Sequence, residues 1–216
     1  MTAEGILSIA RGELGVTESP AGSNRVKYNP AYYGRDVSGS SYPWCCAFLW
    51  WVFRQAGAAE LFFGGNQTAY CPALLDFHKN QRVTNYQPGD IIFFNFNGRG
   101  NAAHVGLCEG WDGNRITTID GNTGNNNEAN GGAVMRRTRD KKYIVGAYRP
   151  AYSEEDIVTQ EQFDAMLTAW LIRQEAKPAS SWSRMAEAKA AGITDGTRPG
   201  SFATREEVAT MIMAAR

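Results

Sequence analysis

Between Cys45 and Phe53 the chain reads CCAFLWWVF, a run with no charged side chain. Arg54, Gln55 and Ala56 follow, then Gly57, and glycine is the residue that most readily takes the left-handed turn closing a helix. The run therefore reads as a helix from Cys45 to about Ala56. A helix that is apolar on every side offers no face to water, so the rest of the chain has to enclose it. Upstream, MTAEGILSIARGELG places Ile6, Ile9, Ala10 and Leu14 at helical spacing, with Gly15 as the stop. Downstream, CPALLDFHKN reads as a shorter helix, QPGD at 87–90 as a turn and IIFFNF after it as a strand. AHVGLCEG and RITTIDGN are two further strands joined by a tight turn at WDGN, and AVMRRTRD and YIVGAYRP complete an antiparallel sheet. Helices first and antiparallel strands afterwards is an α+β pattern, with N-terminal helices packed on the sheet.

The composition changes around YRPAYSEEDIVTQ, where Gly-, Asn- and aromatic-rich sequence gives way to Ala, Glu, Met and Arg. Residues 1–153 carry 15 basic and 12 acidic side chains, residues 154–216 carry 7 and 10. The division expected is one unit at 1–152 and a small all-α unit at 153–216. In the second, TQEQ at 159–162 and TREE at 204–207 fit capping boxes, and GITDGTRPG is the loop before the last helix. Phe163, Met166, Leu167, Trp170 and Leu171 form a stripe at helical spacing that calls for burial, within the unit, on the first unit or against a second copy. A homo-oligomer through this unit is one expectation. The whole chain balances 22 basic against 22 acidic residues, which argues against a nucleic-acid partner held by bulk charge. No apolar run reaches the length of a membrane span. The N-terminus lacks a basic segment followed by an apolar one, so the expectation is cytoplasmic synthesis without a signal peptide.

The four cysteines are Cys45, Cys46, Cys71 and Cys108. No CxxC pair occurs, which argues against a zinc site, and a chain of this length does not need a disulfide framework. A buried free thiol is the ordinary reading for three of them. Cys45 differs by position: it opens the apolar helix, where unpaired N–H groups and the helix dipole favour a thiolate. Cys46, about 100° further round, turns into the core. Two histidines are available as a base. His78, at the polar end of a short helix, reads as a solvated surface residue. His104 opens the strand HVGLCEG after the small-residue loop NGRGNAA, where it can face a cleft. A hairpin centred on Gly113 sets His104 opposite Asn122 and Gly106 opposite Asp120, so both polar residues converge on the imidazole face. A strict two-residue Asp112–Gly113 turn puts both on the wrong face, so convergence requires a three-residue loop or a bulge. A cysteine, a histidine and an Asp/Asn orienter make the cysteine-protease constellation.

In that order, YPWCCAFLWWVFRQAG, QPGDIIFFNF, AHVGLCEG and ITTIDGNTG resemble the CHAP domain, the cysteine, histidine-dependent amidohydrolase/peptidase family, over roughly residues 1–152. The resemblance implies a papain-like fold and a peptidoglycan hydrolase of the phage endolysin type. Such an enzyme cleaves an amide bond of cell-wall peptide, as an N-acetylmuramoyl-L-alanine amidase or an endopeptidase, after release to the wall. It implies Cys45 as nucleophile, His104 as base, and Asp120 and Asn122 as orienters, although many members have glutamate where this chain has Asp120. Trp44 and Tyr42 are the aromatics placed to stack on sugar or peptide, with core packing the expected role of at least one of them. Some members bind calcium in an Asp-rich loop before the cysteine. Here YNPAYYGRDVSG offers the single acid Asp36, so no metal and no cofactor is expected. The tail, through GITDG and TREE, resembles S-layer-homology-like segments found behind wall hydrolases, which implies wall binding or oligomerisation. Two other classes share the same residues: a non-hydrolytic wall-binding protein, and a cysteine acyltransferase or toxin acting on another amide.

Overall fold

The computed structural model describes residues 1–97, 100–153, 160–175, 185–192, 208 and 212–213. The chain divides into two compact units, Met1–Glu155 and Asp156–Arg216. The first extends past Tyr152 because its end is tied to its beginning. The Tyr152 hydroxyl donates to the Gly89 carbonyl at 2.7 Å, and the Ser153 N–H donates to the Met1 carbonyl at 3.1 Å.

Among the described residues of the first unit, five α-helices precede five strands. They are α1 (Ala3–Gly12), α2 (Tyr28–Tyr33), α3 (Cys45–Gln55), α4 (Ala59–Phe63) and α5 (Cys71–Phe77), then β1 (Ile91–Phe94), β2 (His104–Trp111), β3 (Arg115–Thr123), β4 (Ala133–Asp140) and β5 (Ile144–Tyr148). The strands form one antiparallel sheet in the order β4-β3-β2-β1-β5. This is the α+β arrangement expected from the pattern of elements. Two helices, α2 and α4, had no periodic signal, because six and five residues are too few to show one. Each closes at a left-handed glycine, Gly34 at φ 68° and Gly64 at φ 58°.

The apolar run is enclosed as its composition demands. Every α3 residue from Cys45 to Phe53 except Trp51 is buried, and each large side chain so placed contributes about 1.5–3 kcal/mol. One face of α3 lies directly on β3. A Cβ at Gly121 would stand 2.5 Å from Phe48 Cβ, so only glycine lets the helix approach this closely. A second, smaller cluster of Ile92, Phe94, Cys108, Ile116 and Ala147 forms a separate apolar core.

The register between β2 and β3 is set by a bulge. Near the turn Trp111 pairs with Ile116 and Gly110 with Thr117, whereas beyond the irregularity Cys108 pairs with Thr118 and Leu107 with Ile119. The extra residue is Glu109. Its carboxylate accepts from Arg11 Nε of α1 at 2.7 Å and from Arg136 Nη2 of β4 at 2.9 Å, with a further bond from Arg136 Nε. A bulge leaves one residue unpaired in the ladder, and here that residue is pinned on both sides. The Arg136 bonds lower the Glu109 pKa, burial opposes them and Arg11 adds to them, leaving the group at about 2 against an ordinary 4.5. A carboxylate depressed in the folded state stabilises the fold above its unfolded pKa, and this is lost as pH falls through the folded value. Glu109→Gln is therefore expected to be less stable than the native chain at neutral pH, with the gap closing between pH 4.5 and about 2. Thermal unfolding in stepped pH buffers measures it. A gap of constant size over that window would show that the carboxylate charge does not hold the bulge.

His78 is not on the surface. It is 5% exposed, its Nε2 lies 2.6 Å from the Phe62 carbonyl, its Nδ1 pairs with Gln81, and its ring stacks on Tyr148 at 3.7 Å. The polar sequence around it suggested solvent, but α5 ends at Phe77 and the chain then turns His78 back onto β5.

The second unit contains α6 (Gln160–Glu175) and α7 (Met185–Ala190). Thr159, the TREE segment and the GITDGTRPG loop beyond Gly192 lie outside the described residues. In the single chain Phe163, Met166, Leu167 and Trp170 of the stripe are exposed, at 53%, 64%, 42% and 39%, and Leu171 is half-buried. Ile172, nine positions and so about half a turn round from Phe163, is also exposed. Ile172 therefore lies opposite the stripe, whose five residues fall within an arc of about 140°.

Candidate active site

Cys45 is the first residue of α3, and Trp44 before it makes no side-chain capping bond. The first N–H groups of a helix lack intrahelical partners, so this terminus leaves donors and a positive dipole end beside the Cys45 thiol. Trp44 itself turns inward. It is wholly buried and its Nε1 donates to Glu18 Oε1 at 2.8 Å. That corrects the expectation that Trp44 stacks on substrate: the indole N–H is satisfied inside, and no ring surface reaches solvent. Tyr42 remains partly exposed, edge-on to Tyr33 at 5.1 Å and bonded through its hydroxyl to Arg35.

His104 begins β2, opposite Phe94 of β1, and is wholly buried. Its Nε2 lies 2.9 Å from Asp120 Oδ2 on β3. With Nε2 taken, the nitrogen left for a proton transfer is Nδ1, which is buried and has no partner in hydrogen-bond geometry. The ring also interacts with the Cys45 thiol. The bulge at Glu109 is what brings Asp120 to this position. Gly106 leaves room for it, since a Cβ there would stand 2.1 Å from Asp120 Oδ1. Thus the glycine two residues after the histidine is a requirement of the carboxylate packed against it.

Asn122 sits near the same end of β3 but makes no hydrogen bond to the imidazole. It takes φ 58°, and its Nδ2 donates to Asn130 Oδ1 at 2.9 Å. Of the two residues expected to converge on His104, Asp120 makes the contact.

Beyond Asp120 stands Arg139 on β4, which the sequence reading missed. Its Nη1 donates to the same Asp120 Oδ2 at 2.7 Å, its Nε to Glu128 Oε2 at 2.8 Å, and its guanidinium lies over Phe94 at 4.8 Å. The one available signal was the match of β4 to β3 in an antiparallel sheet. Burial pushes the Asp120 pKa up, but Arg139 and then His104 outweigh it, so the carboxyl stays ionised and below its usual range. An ionised carboxylate with both neighbours cationic orients the ring and favours its protonated form.

A third thiol completes the site. Cys71, the first residue of α5, lies 3.8 Å from Cys45 and 3.3 Å from Cys46, sulfur to sulfur. These two thiols are the largest influence lowering the Cys45 pKa; burial opposes them and His104 adds to them, holding Cys45 well below the ordinary cysteine range. Cys46 and Cys71 are pushed well up, chiefly by their hydrogen bonds to Cys45 with burial adding, which favours them as protonated donors. Burial pulls the His104 pKa down, yet Asp120 and Cys45 together raise it to about 9. The arrangement is a thiolate–imidazolium pair backed by an arginine-anchored carboxylate. Chemically it can attack a carbonyl carbon through sulfur and return a proton to a leaving group through nitrogen.

Residues 37–122 match the family model described as "CHAP domain", which points to a cysteine/histidine amidohydrolase. No curated protein matches the chain. Among solved structures, "The crystal structure of Ly7917" aligns at 17% identity with a TM-score of 0.39, covering 69% of this chain. The aligned part spans 63% of that other chain.

Proposed function

Taking residues 37–122 as a CHAP domain, we propose that this protein is a peptidoglycan hydrolase that cleaves an amide bond of cell-wall peptide through a cysteine thioester. The observation that carries the reading is the buried His104, with Nε2 on the Asp120 carboxylate, Nδ1 unpartnered and the Cys45 thiol interacting with the ring.

In this mechanism the Cys45 sulfur attacks the amide carbonyl carbon. Negative charge develops on the carbonyl oxygen and is met by N–H groups at the start of α3, the Cys45 N–H among them. His104 gives its proton to the amide nitrogen, the C–N bond breaks and the amine leaves. Water then enters, His104 takes its proton, and the thioester is hydrolysed to free acid and thiol. Asp120 holds the ring in the tautomer that presents Nδ1 to sulfur, and Arg139 holds Asp120.

Mass spectrometry of fragments released from purified walls tests the reading. A new N-terminal alanine without new reducing sugar identifies the N-acetylmuramoyl-L-alanine amidase, and a freed cross-bridge or mid-stem amine identifies the endopeptidase. Binding to walls without any released fragment would overturn hydrolysis in favour of a non-catalytic wall-binding protein.

Residues 153–216 are proposed to hold the enzyme on the wall, supported by the exposed apolar side chains of α6. A chain ending near residue 152 is expected to cleave soluble wall fragments at the native rate and to lyse whole cells more slowly. Turbidity clearing of intact cells measures it, and equal clearing by both chains would leave the second unit without a targeting role. The second unit's excess of acidic over basic side chains, 10 against 7, does not favour simple electrostatic adhesion to anionic wall polymers. Wall binding by the full chain is therefore expected to vary little with salt.

A further inference from the structure

We propose that Cys45, Cys46 and Cys71 form a trithiol site for a thiophilic d10 cation of the zinc class, and that occupancy of this site switches the enzyme off by consuming its nucleophile. The inhibitory half rests on the reading of Cys45 as nucleophile; the binding half does not.

The spacing of the cysteines along the chain hides this site. Cys71 arrives from the start of α5, and the fold sets it against the start of α3. All three sulfurs lie within 4.8 Å of one another, with Cys45–Cys71 at 3.8 Å and Cys46–Cys71 at 3.3 Å. A tetrahedral zinc with Zn–S bonds of about 2.3 Å has sulfur–sulfur edges of about 3.8 Å, so these thiols surround a cation with small shifts of their χ1 angles. Cys46 is wholly buried, and Cys45 and Cys71 are 4% and 6% exposed. The imidazole beside Cys45 keeps Nδ1 buried and unpartnered, and offers a fourth ligand in a Cys3His set. The three thiols bring no oxygen donor, so the hard cations calcium and magnesium have nothing to bind there. Metal–sulfur bonds form as the thiol protons leave to buffer, so affinity weakens as pH falls.

The test uses the full chain, kept reduced with a phosphine and freed of metal. Cadmium is added stepwise while thiolate-to-metal charge-transfer absorption is recorded. One equivalent is expected to saturate the signal, and calcium is expected to give none. Cys46→Ser and Cys71→Ser should each weaken cadmium binding at least tenfold, whereas Cys108→Ser, in the separate apolar cluster, should not change it. Alanine replaces serine at any position where the buried hydroxyl unfolds the chain. One equivalent of zinc should stop release of wall fragments, and a chelator should restore it. Absence of the band at stoichiometric cadmium, or native affinity in the Cys71 variant, overturns the site. Stoichiometric cadmium binding with undiminished hydrolysis under zinc overturns the inhibitory half and removes Cys45 from the nucleophile's role, while leaving the site in place.

Discussion

Cys45→Ala is expected to lower kcat/KM for wall hydrolysis by about 10⁴-fold or more, the scale on which removal of a nucleophile acts, with thermal unfolding close to native. The expectation rests on the contrast between two adjacent thiols. Cys45 lies at the helix start, interacts with His104 and is held as a thiolate; Cys46 is wholly buried and held as a thiol. Removing Cys45 Sγ from a site with slight exposure opens a small void at the edge of the core. Removing Cys46 Sγ opens it in the interior, at a cost of about 1 kcal/mol, comparable to losing one buried methyl group. Cys46→Ala also deletes one of two thiol donors to the Cys45 sulfur, so its activity is expected to fall by no more than about tenfold. Fragment release and differential scanning calorimetry on both variants decide the matter. An active Cys45→Ala beside a dead Cys46→Ala would sink the assignment of the nucleophile.

Asp120→Asn is expected to cost both rate and stability. The carboxylate is wholly buried between His104 and Arg139, at 2.9 and 2.7 Å from the same oxygen. An amide of the same shape leaves the Arg139 charge less compensated in the interior, and breaking a buried ion pair costs about 3–5 kcal/mol when a partner is deleted outright. The retained carbonyl oxygen and Glu128 offset part of this, so about 2–3 kcal/mol is expected. The amide can also present its NH2 to the ring, reversing which imidazole nitrogen carries the proton. A histidine in the wrong tautomer cannot take the thiol proton, and a kcat loss of about 10²–10⁴ follows. Asn122→Ala supplies the comparison. Its side chain bonds Asn130 and not the imidazole, so kcat should stay within about tenfold. Its left-handed backbone at φ 58° suits asparagine better than alanine, which puts the stability cost at about 1 kcal/mol. If Asn122→Ala were the slow enzyme and Asp120→Asn the fast one, Asn122 would be the orienter.

Gly106 shows how a motif acquires its physical reason. In the sequence it is only the glycine two residues after His104. In the folded chain a methyl group there would strike the Asp120 carboxylate, which Arg139 and His104 prevent from moving away. Gly121 has the same relation to Phe48, so one glycine admits the Asp120 carboxylate and the other admits the helix that carries Cys45.

The elements of the first unit were legible because their signals are local. The uncharged run after Trp44 could only be an enclosed helix, Gly57 follows its C-cap at positive φ, and alternating strands with turn residues between them can only pair antiparallel; α1 ends at Gly12, ahead of the stop expected at Gly15. The order of Cys45, His104 and Asp120 along the chain was equally plain. His78, by contrast, was read as solvated because its neighbours are polar, and no local rule records that Phe62 and Tyr148 receive it. Trp44 likewise looked available for substrate until Glu18 was seen to hold it.

The sequence by itself determined the longer helices and the strands of the first unit and which residue types open them, though not α2 and α4. Each of those outcomes depends on residues a few positions apart. Three matters depended on groups far apart in the chain and were decided by tertiary structure. The register of β2 on β3 changes at Glu109, which is held between Arg11 and Arg136, and it turns Asp120 to the face of His104. The ionisation of Asp120 follows from Arg139, a whole strand away. The company of the Cys45 thiol follows from Cys71 at the head of another helix. Electrostatic and sulfur contacts act through space over a few ångströms, and only the folded chain brings such partners that close.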